Sequence, residues 1–167
     1  YRYFPDPDLP PLAIDDAWIE RVRAGMPELP AAMWERLAAQ YALSAQYAAA
    51  LPADRETPAY FESAVAALAG PADKNGKLVA NWMLGELAAA LNRSEQDIGK
   101  APVGADQLAA LLRRIGDGTI SGKIAKDVFD AMWAGAATGE DAADTIIAAR
   151  GLKQISDESA IAAIVDG

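Results

Sequence analysis

Beyond residue 14 the chain of 167 residues shows no alternation of apolar and polar positions, and its apolar residues recur instead at helical spacing. Ile120, Ile124, Val128 and Met132 repeat every four residues, as do Met33, Leu37 and Tyr41. Such periods place the apolar groups on one face of an α-helix and cannot build a half-buried strand. Proline and glycine cut the pattern into short pieces. Gly25 and Pro27 end a helix through Trp18, Ile19 and Val22 that Asp15 or Asp16 can cap, and Pro30 opens the next one, where its missing N–H costs nothing. Ser44 restarts helix after a short link, with Tyr47 and Leu51 continuing the pattern before Pro52 breaks it. Thr57-Pro58 reads as a cap followed by proline at the first helical position, with Tyr60, Phe61, Val65 and Leu68 in the helix behind it.

Gly70-Pro71 ends that helix, and Asp73-Lys74-Asn75-Gly76 reads as a turn cluster. The longest helix is expected from about Lys77 to Leu91. Leu78, Trp82, Leu84, Leu87 and Leu91 cover much of its circumference, which suits a central position. Residues 92–104 read as a loop around a short turn. Asp106 is expected to cap a helix with Leu108, Leu111, Leu112 and Ile115 inside and Arg113 and Arg114 outside. Ser121 caps the following helix, Glu140 to Arg150 forms another, and Gly151 suits its C-terminal cap. Asp157 caps a last segment of about three turns, too short to be a domain, so a second domain is expected to be cut short there. The fold class is all-α, an irregular bundle of about eight helices. The stretch 1–12, with three aromatics and four prolines, is extended and reads as the exit from a preceding domain.

Composition narrows the chemistry. Apolar residues make up 52%, enough for a core. No run of eighteen apolar residues occurs, so no membrane span is expected. With no Cys and no His, disulfides, thiolate zinc sites, Cys nucleophiles and His-centred triads are excluded. The lack of Cys fits a cytoplasmic chain. No catalytic constellation and no metal site stands out: paired carboxylates such as Asp15/Asp16 and Glu140/Asp141 sit at helix starts, where capping explains them.

The net charge of −9 argues against a basic footprint over the whole chain. Its distribution is uneven: residues 1–70 carry ten acids and five bases, residues 71–150 eleven and nine. The middle of the chain can therefore present a local basic face. Lys123 and Lys126 stand opposite the apolar stripe of their helix, each with an aspartate four residues on, Asp127 and Asp130. They are either a solvated face with weak helix support or phosphate contacts near a helix start. Asn81, beside Trp82, is either a satisfied core amide or a buried specificity group. The glycine-rich run from Gly116 to Lys123 fails as a phosphate loop, because Ile124 stands where Ser or Thr belongs and no strand precedes it.

Several strings in one order carry a resemblance. They are YRYFPDPDLPPL at 1–12, Trp18-Ile19-Glu20, Met26-Pro27-Glu28-Leu29-Pro30, Tyr41-Ala42-Leu43-Ser44, Tyr60-Phe61-Glu62 and Ala80-Asn81-Trp82. The series continues with Asp117-Gly118-Thr119-Ile120-Ser121, Lys123-Ile124-Ala125-Lys126 and Gly151-Leu152-Lys153-Gln154-Ile155-Ser156-Asp157. Together they resemble the GatB family of aminoacyl-tRNA amidotransferase subunits. One departure is Ala42, where the family usually shows Gly.

The resemblance implies an enzyme that amidates Glu-tRNA(Gln), and often Asp-tRNA(Asn), with ATP, magnesium and ammonia from glutamine, alongside A and C subunits. It implies that residues 1–12 leave a catalytic cradle lying upstream, that 13–149 are a helical domain, and that 150–167 begin a YqeY-like tail. On that scheme this stretch is a non-catalytic tRNA-recognition region, with Lys123, Lys126, Arg150 and Lys153 as candidate RNA contacts. The rival expectation is a spacer that positions the tail without touching RNA. Clustered Lys and Arg favour the first and scattered charges the second.

Overall fold

The computed structural model describes residues 14–26, 28–44, 47 and 56–152. Helix α1 (Asp16–Gly25) is capped by Asp15, whose Oδ1 accepts a hydrogen bond from the Trp18 amide at 2.6 Å. It buries none of its residues, and Ile14, Trp18, Ile19, Val22, Met26 and Leu29 stay exposed. Helix α2 (Pro30–Tyr41) starts on its proline, as expected, and α3 spans Glu56–Ala67. Then come α4 (Ala72–Trp82), a π-helical turn (Met83–Leu87) and α5 (Ala88–Ser94), which run on as one helix. After a short 3₁₀ turn (Ile98–Lys100), α6 (Ala105–Gly116), α7 (Gly122–Trp133) and α8 (Ala142–Arg150) complete the fold. With the Ala72–Ser94 segments counted as one, the described residues hold seven helices and no strand. None of these helices is long and apolar enough to cross a membrane.

Three local expectations change. The helix expected from Lys77 begins five residues earlier, because Asp73-Lys74-Asn75-Gly76 lie inside α4 rather than in a turn. Asn75 Nδ2 donates to the Leu68 carbonyl at 3.1 Å and ties the α3 exit to α4. Gly76 is there for contact: a Cβ at this position would stand 2.6 Å from Tyr41 Cβ, so only glycine lets α2 and α4 approach this closely. Thr57 and Pro58 are both buried within α3 instead of marking its start. Gly104, not Asp106, is the N-cap of α6, and Gln107 Oε1 accepts the Gly104 amide at 2.9 Å. The extended 1–12 stretch, Leu51 with Pro52, and the segment after Asp157 lie outside the described residues.

The long helix is central. Its α4 part packs on α2 and α3, and it also touches α6. At its middle the Trp82 ring meets Phe129 of α7 edge-on at 6.0 Å, and Phe129 in turn lies 5.7 Å from Trp133. Tyr41 meets Phe61 edge-on at 5.1 Å, linking α2 to α3, which packs along α6. A polar strut reinforces that corner. Arg36 Nη1 donates to Glu62 Oε1 at 2.6 Å, while its Nε and Nη2 grip Glu28.

These contacts set two expectations for stability. Trp82→Ala removes a buried indole from the Phe129 contact and is expected to cost roughly 3–5 kcal/mol, read as a lower urea midpoint. Helix α2 closes on Ala42 at φ 48° and ψ 41°, a left-handed conformation that glycine takes without strain. Ala42→Gly is therefore expected to stabilise by about 1 kcal/mol and to raise the melting temperature by about 2–4 °C.

Candidate nucleic-acid interface

Helices α7 and α8 carry the candidate residues that lie within the described part of the chain, and α6 packs against both. Five residues, 117–121, join α6 to α7, and eight, 134–141, join α7 to α8, and each pair packs together. Connections this short between packed helices make each pair antiparallel. Helices α6 and α8 therefore run the same way. Two cross-contacts agree with this: Gln107 Nε2 donates to the Gly139 carbonyl at 2.9 Å, and one turn and more along both helices Arg114 meets Asp144. The Arg114–Asp144 contact sets the last turn of α6 against the first turn of α8.

The turn between α6 and α7 is built by its own chemistry. Gly118 takes φ 75°, Asp117 Oδ1 accepts the Thr119 amide at 2.9 Å, and Ser121 Oγ accepts the Ile124 amide at 3.3 Å as the cap of α7. The glycine-rich run is thus a helix-to-helix turn with a serine cap. Arg114 locks the same corner. Its Nε and Nη2 donate to the two oxygens of Asp144 at 2.6 and 2.7 Å, and its Nη1 to Asp117 at 3.0 Å. These hydrogen bonds hold the Asp144 carboxyl below its ordinary value of 3.8, against partial desolvation, and the charge of nearby Arg113 adds a smaller contribution. Asp117 is lowered too, first by Thr119 and then by Arg114.

Lys123 is exposed in the first turn of α7, and Arg150 is exposed in the last turn of α8. Neither has an ion pair among the described residues. Lys126 is exposed one turn further on, and its Nζ lies 2.5 Å from Glu86 Oε1 on the π-helical turn. The expected pairs along α7 do not form. Asp130 is taken by Arg93 at 3.2 Å, and Lys126 by Glu86, so partners from the neighbouring helix displace the weak lysine-first spacing. The structure thus ties Lys126 to the long helix and leaves Lys123 and Arg150 exposed without an ion pair among the described residues. Lys153 lies outside the described residues.

Asn81 is exposed, contrary to both readings of it as a buried amide, and its Oδ1 accepts the Tyr47 hydroxyl. Its neighbour Trp82 is buried, because adjacent residues on a helix face different ways. Sequence reasoning set Arg113 and Arg114 outward together. It missed that Arg114 is a clamp on Asp117 and Asp144, while Arg113 stays exposed. The adjacent pair of arginines in the last turn of α6 was the available signal. No group of three Asp or Glu that could hold a metal ion is present among the described residues.

The described residues form a helical layer whose corner Arg114 locks between Asp117 and Asp144. The chain belongs to the GatB/YqeY family: the family's GatB domain matches residues 59–167. It is 61% identical over 166 residues to the B subunit of the aspartyl/glutamyl-tRNA(Asn/Gln) amidotransferase of Bordetella bronchiseptica, and 57% identical to that of Burkholderia ambifaria. Each alignment covers 99% of this chain and 33% of the relative, so the chain spans about a third of the length of these relatives.

The Arg114 clamp has a pH signature. A carboxylate whose folded-state pKa is depressed adds stability above its unfolded pKa and loses it as pH falls through the folded value. Asp144→Asn is therefore expected to lower the melting temperature most near neutral pH, with the gap to the parent closing as the pH falls below the ordinary carboxylate value of 3.8. Thermal melts across that range check this.

Proposed function

We propose that this chain is the tRNA-recognition region of an amidotransferase GatB subunit and has no catalytic centre of its own. The observation that carries the reading is the 61% identity along 99% of the chain to a relative named for aspartyl/glutamyl-tRNA(Asn/Gln) amidation. On this reading the intact protein works in the cytoplasm with A and C subunits. It makes Gln-tRNA(Gln), and Asn-tRNA(Asn) in many members, by ATP- and magnesium-dependent transamidation of the mischarged tRNA. Residues 1–12 then join this region to a catalytic cradle, 13–149 form the helical domain, and 150–167 open a YqeY-like tail.

Within this region, Lys123, Lys126, Arg150 and Lys153 meet RNA phosphates. The net charge of −9 is compatible with that role, since shape recognition of folded RNA needs one basic face only. Supporting it, Lys123 and Arg150 are exposed and make no ion pair among the described residues. Lys126 must exchange the Glu86 carboxylate for a phosphate to take part. That pairing, with the acidic balance, is what favours the spacer reading instead.

A salt titration of tRNA binding separates the two. In the double variant Lys123→Ala/Lys126→Ala the plot of log affinity against log salt is expected to flatten by roughly one to two units. Different tRNAs should lose affinity about equally, because backbone contacts carry no base information. Unchanged slope and affinity would favour the spacer.

A further inference from the structure

We infer that the apolar face of α1 is the docking surface for the catalytic cradle, so that α1 belongs to the interface between the two domains and not to the helical layer. The inference rests on the reading above that a cradle precedes this region. It deepens that reading by moving the start of the helical domain from residue 13 to the segment just ahead of α2.

The exposed large hydrophobic residues among those described are Ile14, Trp18, Ile19, Val22, Met26 and Leu29, and all fall within 14–29. On α1 itself Trp18 and Val22 stand one turn apart with Ile19 beside them, while Asp16 and Glu20 take the other side, where Glu20 binds Arg23. The helix pairs that pack extensively are drawn from α2 to α8, and α1 is in none of them and buries no residue. A patch this apolar on a folded surface marks an interaction site. An aromatic anchor followed by an aliphatic one a turn later is the pattern of a helix laid in an apolar groove. The point where the chain leaves the helical layer is braced. Arg36 of α2 holds Glu28, just past α1, and Glu62 of α3 together.

The relatives point to what covers this face. They align along 99% of the chain, α1 included, whereas the GatB domain of the family starts only at residue 59. Helix α1 therefore lies within the aligned length of the full subunits but ahead of their GatB domain. The chain covers 33% of each relative, which leaves about two thirds of the subunit outside it. On the reading above the cradle joins at the same end of the sequence as α1, and the tail joins after α8. The cradle is thus the body within reach of α1, and the partner surface it offers is an apolar slot wide enough for the Trp18 indole.

The chain contains no cysteine, so single introduced thiols report on each side of α1. Val22→Cys on the apolar face and Glu20→Cys on the other side are placed in this chain and in the full-length subunit. Maleimide labelling at each site is timed by peptide mass spectrometry, and thermal melts establish folding. In this chain the two thiols are expected to react at similar rates. In the full-length subunit Val22→Cys is expected to slow by about tenfold or more, while Glu20→Cys keeps its rate. Equal rates in the full-length subunit overturn the inference, and so does protection that needs the A or C subunit. Protection already present in this chain overturns it too, whether it grows with concentration, as a second copy would cause, or not, as the chain's own residues would. Hydrogen exchange over α1 in the unsubstituted proteins must show the same slowing, which decides the matter where a variant fails to fold. Binding of tRNA by the same full-length variants separates the two readings. Absent protection with tRNA binding intact overturns the docking alone, whereas protection without tRNA binding leaves the docking standing and removes the recognition role.

Discussion

Burial of the Trp82 region ties the domain together through a single helix. From Ala72 to Ser94 the chain passes α2, α3, α6 and α7, and its side chains contribute to the contact with each. At its N-terminal half the approach is so close that Gly76 meets Tyr41 with no room for a methyl group. At its middle Trp82 and Met83 are buried, and the indole packs edge-on against Phe129. Hydrophobic area and aromatic geometry both act here, in a core with no buried polar side-chain atom lacking a partner among the described residues. The position of α7, and with it Lys123, depends on that central contact.

Much of this was legible in the sequence, for physical reasons that differ by element. The four-residue repeat Ile120, Ile124, Val128, Met132 fixed the buried face of α7, and Ser121, Asp15 and Pro30 marked helix starts through local hydrogen bonding or ring geometry. Local rules failed where a distant segment decides. Asp73-Lys74-Asn75-Gly76 reads as a turn by residue type, yet Gly76 answers to Tyr41, thirty-five positions away. Lys126 and Asp130 looked like partners along one helix, whereas Glu86 and Arg93 lie closer across a helix interface. The candidate interface was legible only in part, since counting charges cannot tell Arg114, which is spent on Asp117 and Asp144, from Arg113 next to it.

Charge in this domain is therefore divided by task rather than spread. Arg36, Arg93, Arg114 and Lys126 each bridge two elements of structure or brace a turn, and exposed pairs of this kind add little stability individually. Their value is positional: they hold helix ends and loops in one arrangement. An acidic protein can then carry a small unpaired basic group without that group collapsing onto its own carboxylates.

The π-helical turn at Met83–Leu87 sets the rotational phase of everything that follows it. An α-helix turns about 100° per residue, and a π turn accommodates one residue more than an α turn would. If the same five residues wound as plain α-helix with none lost, α5 would swing by about a quarter turn. Ala90 would leave the core, and Arg93 would turn away from Asp130. The winding of this short stretch is thus as constrained as residue identity, although Glu86 is its only polar residue.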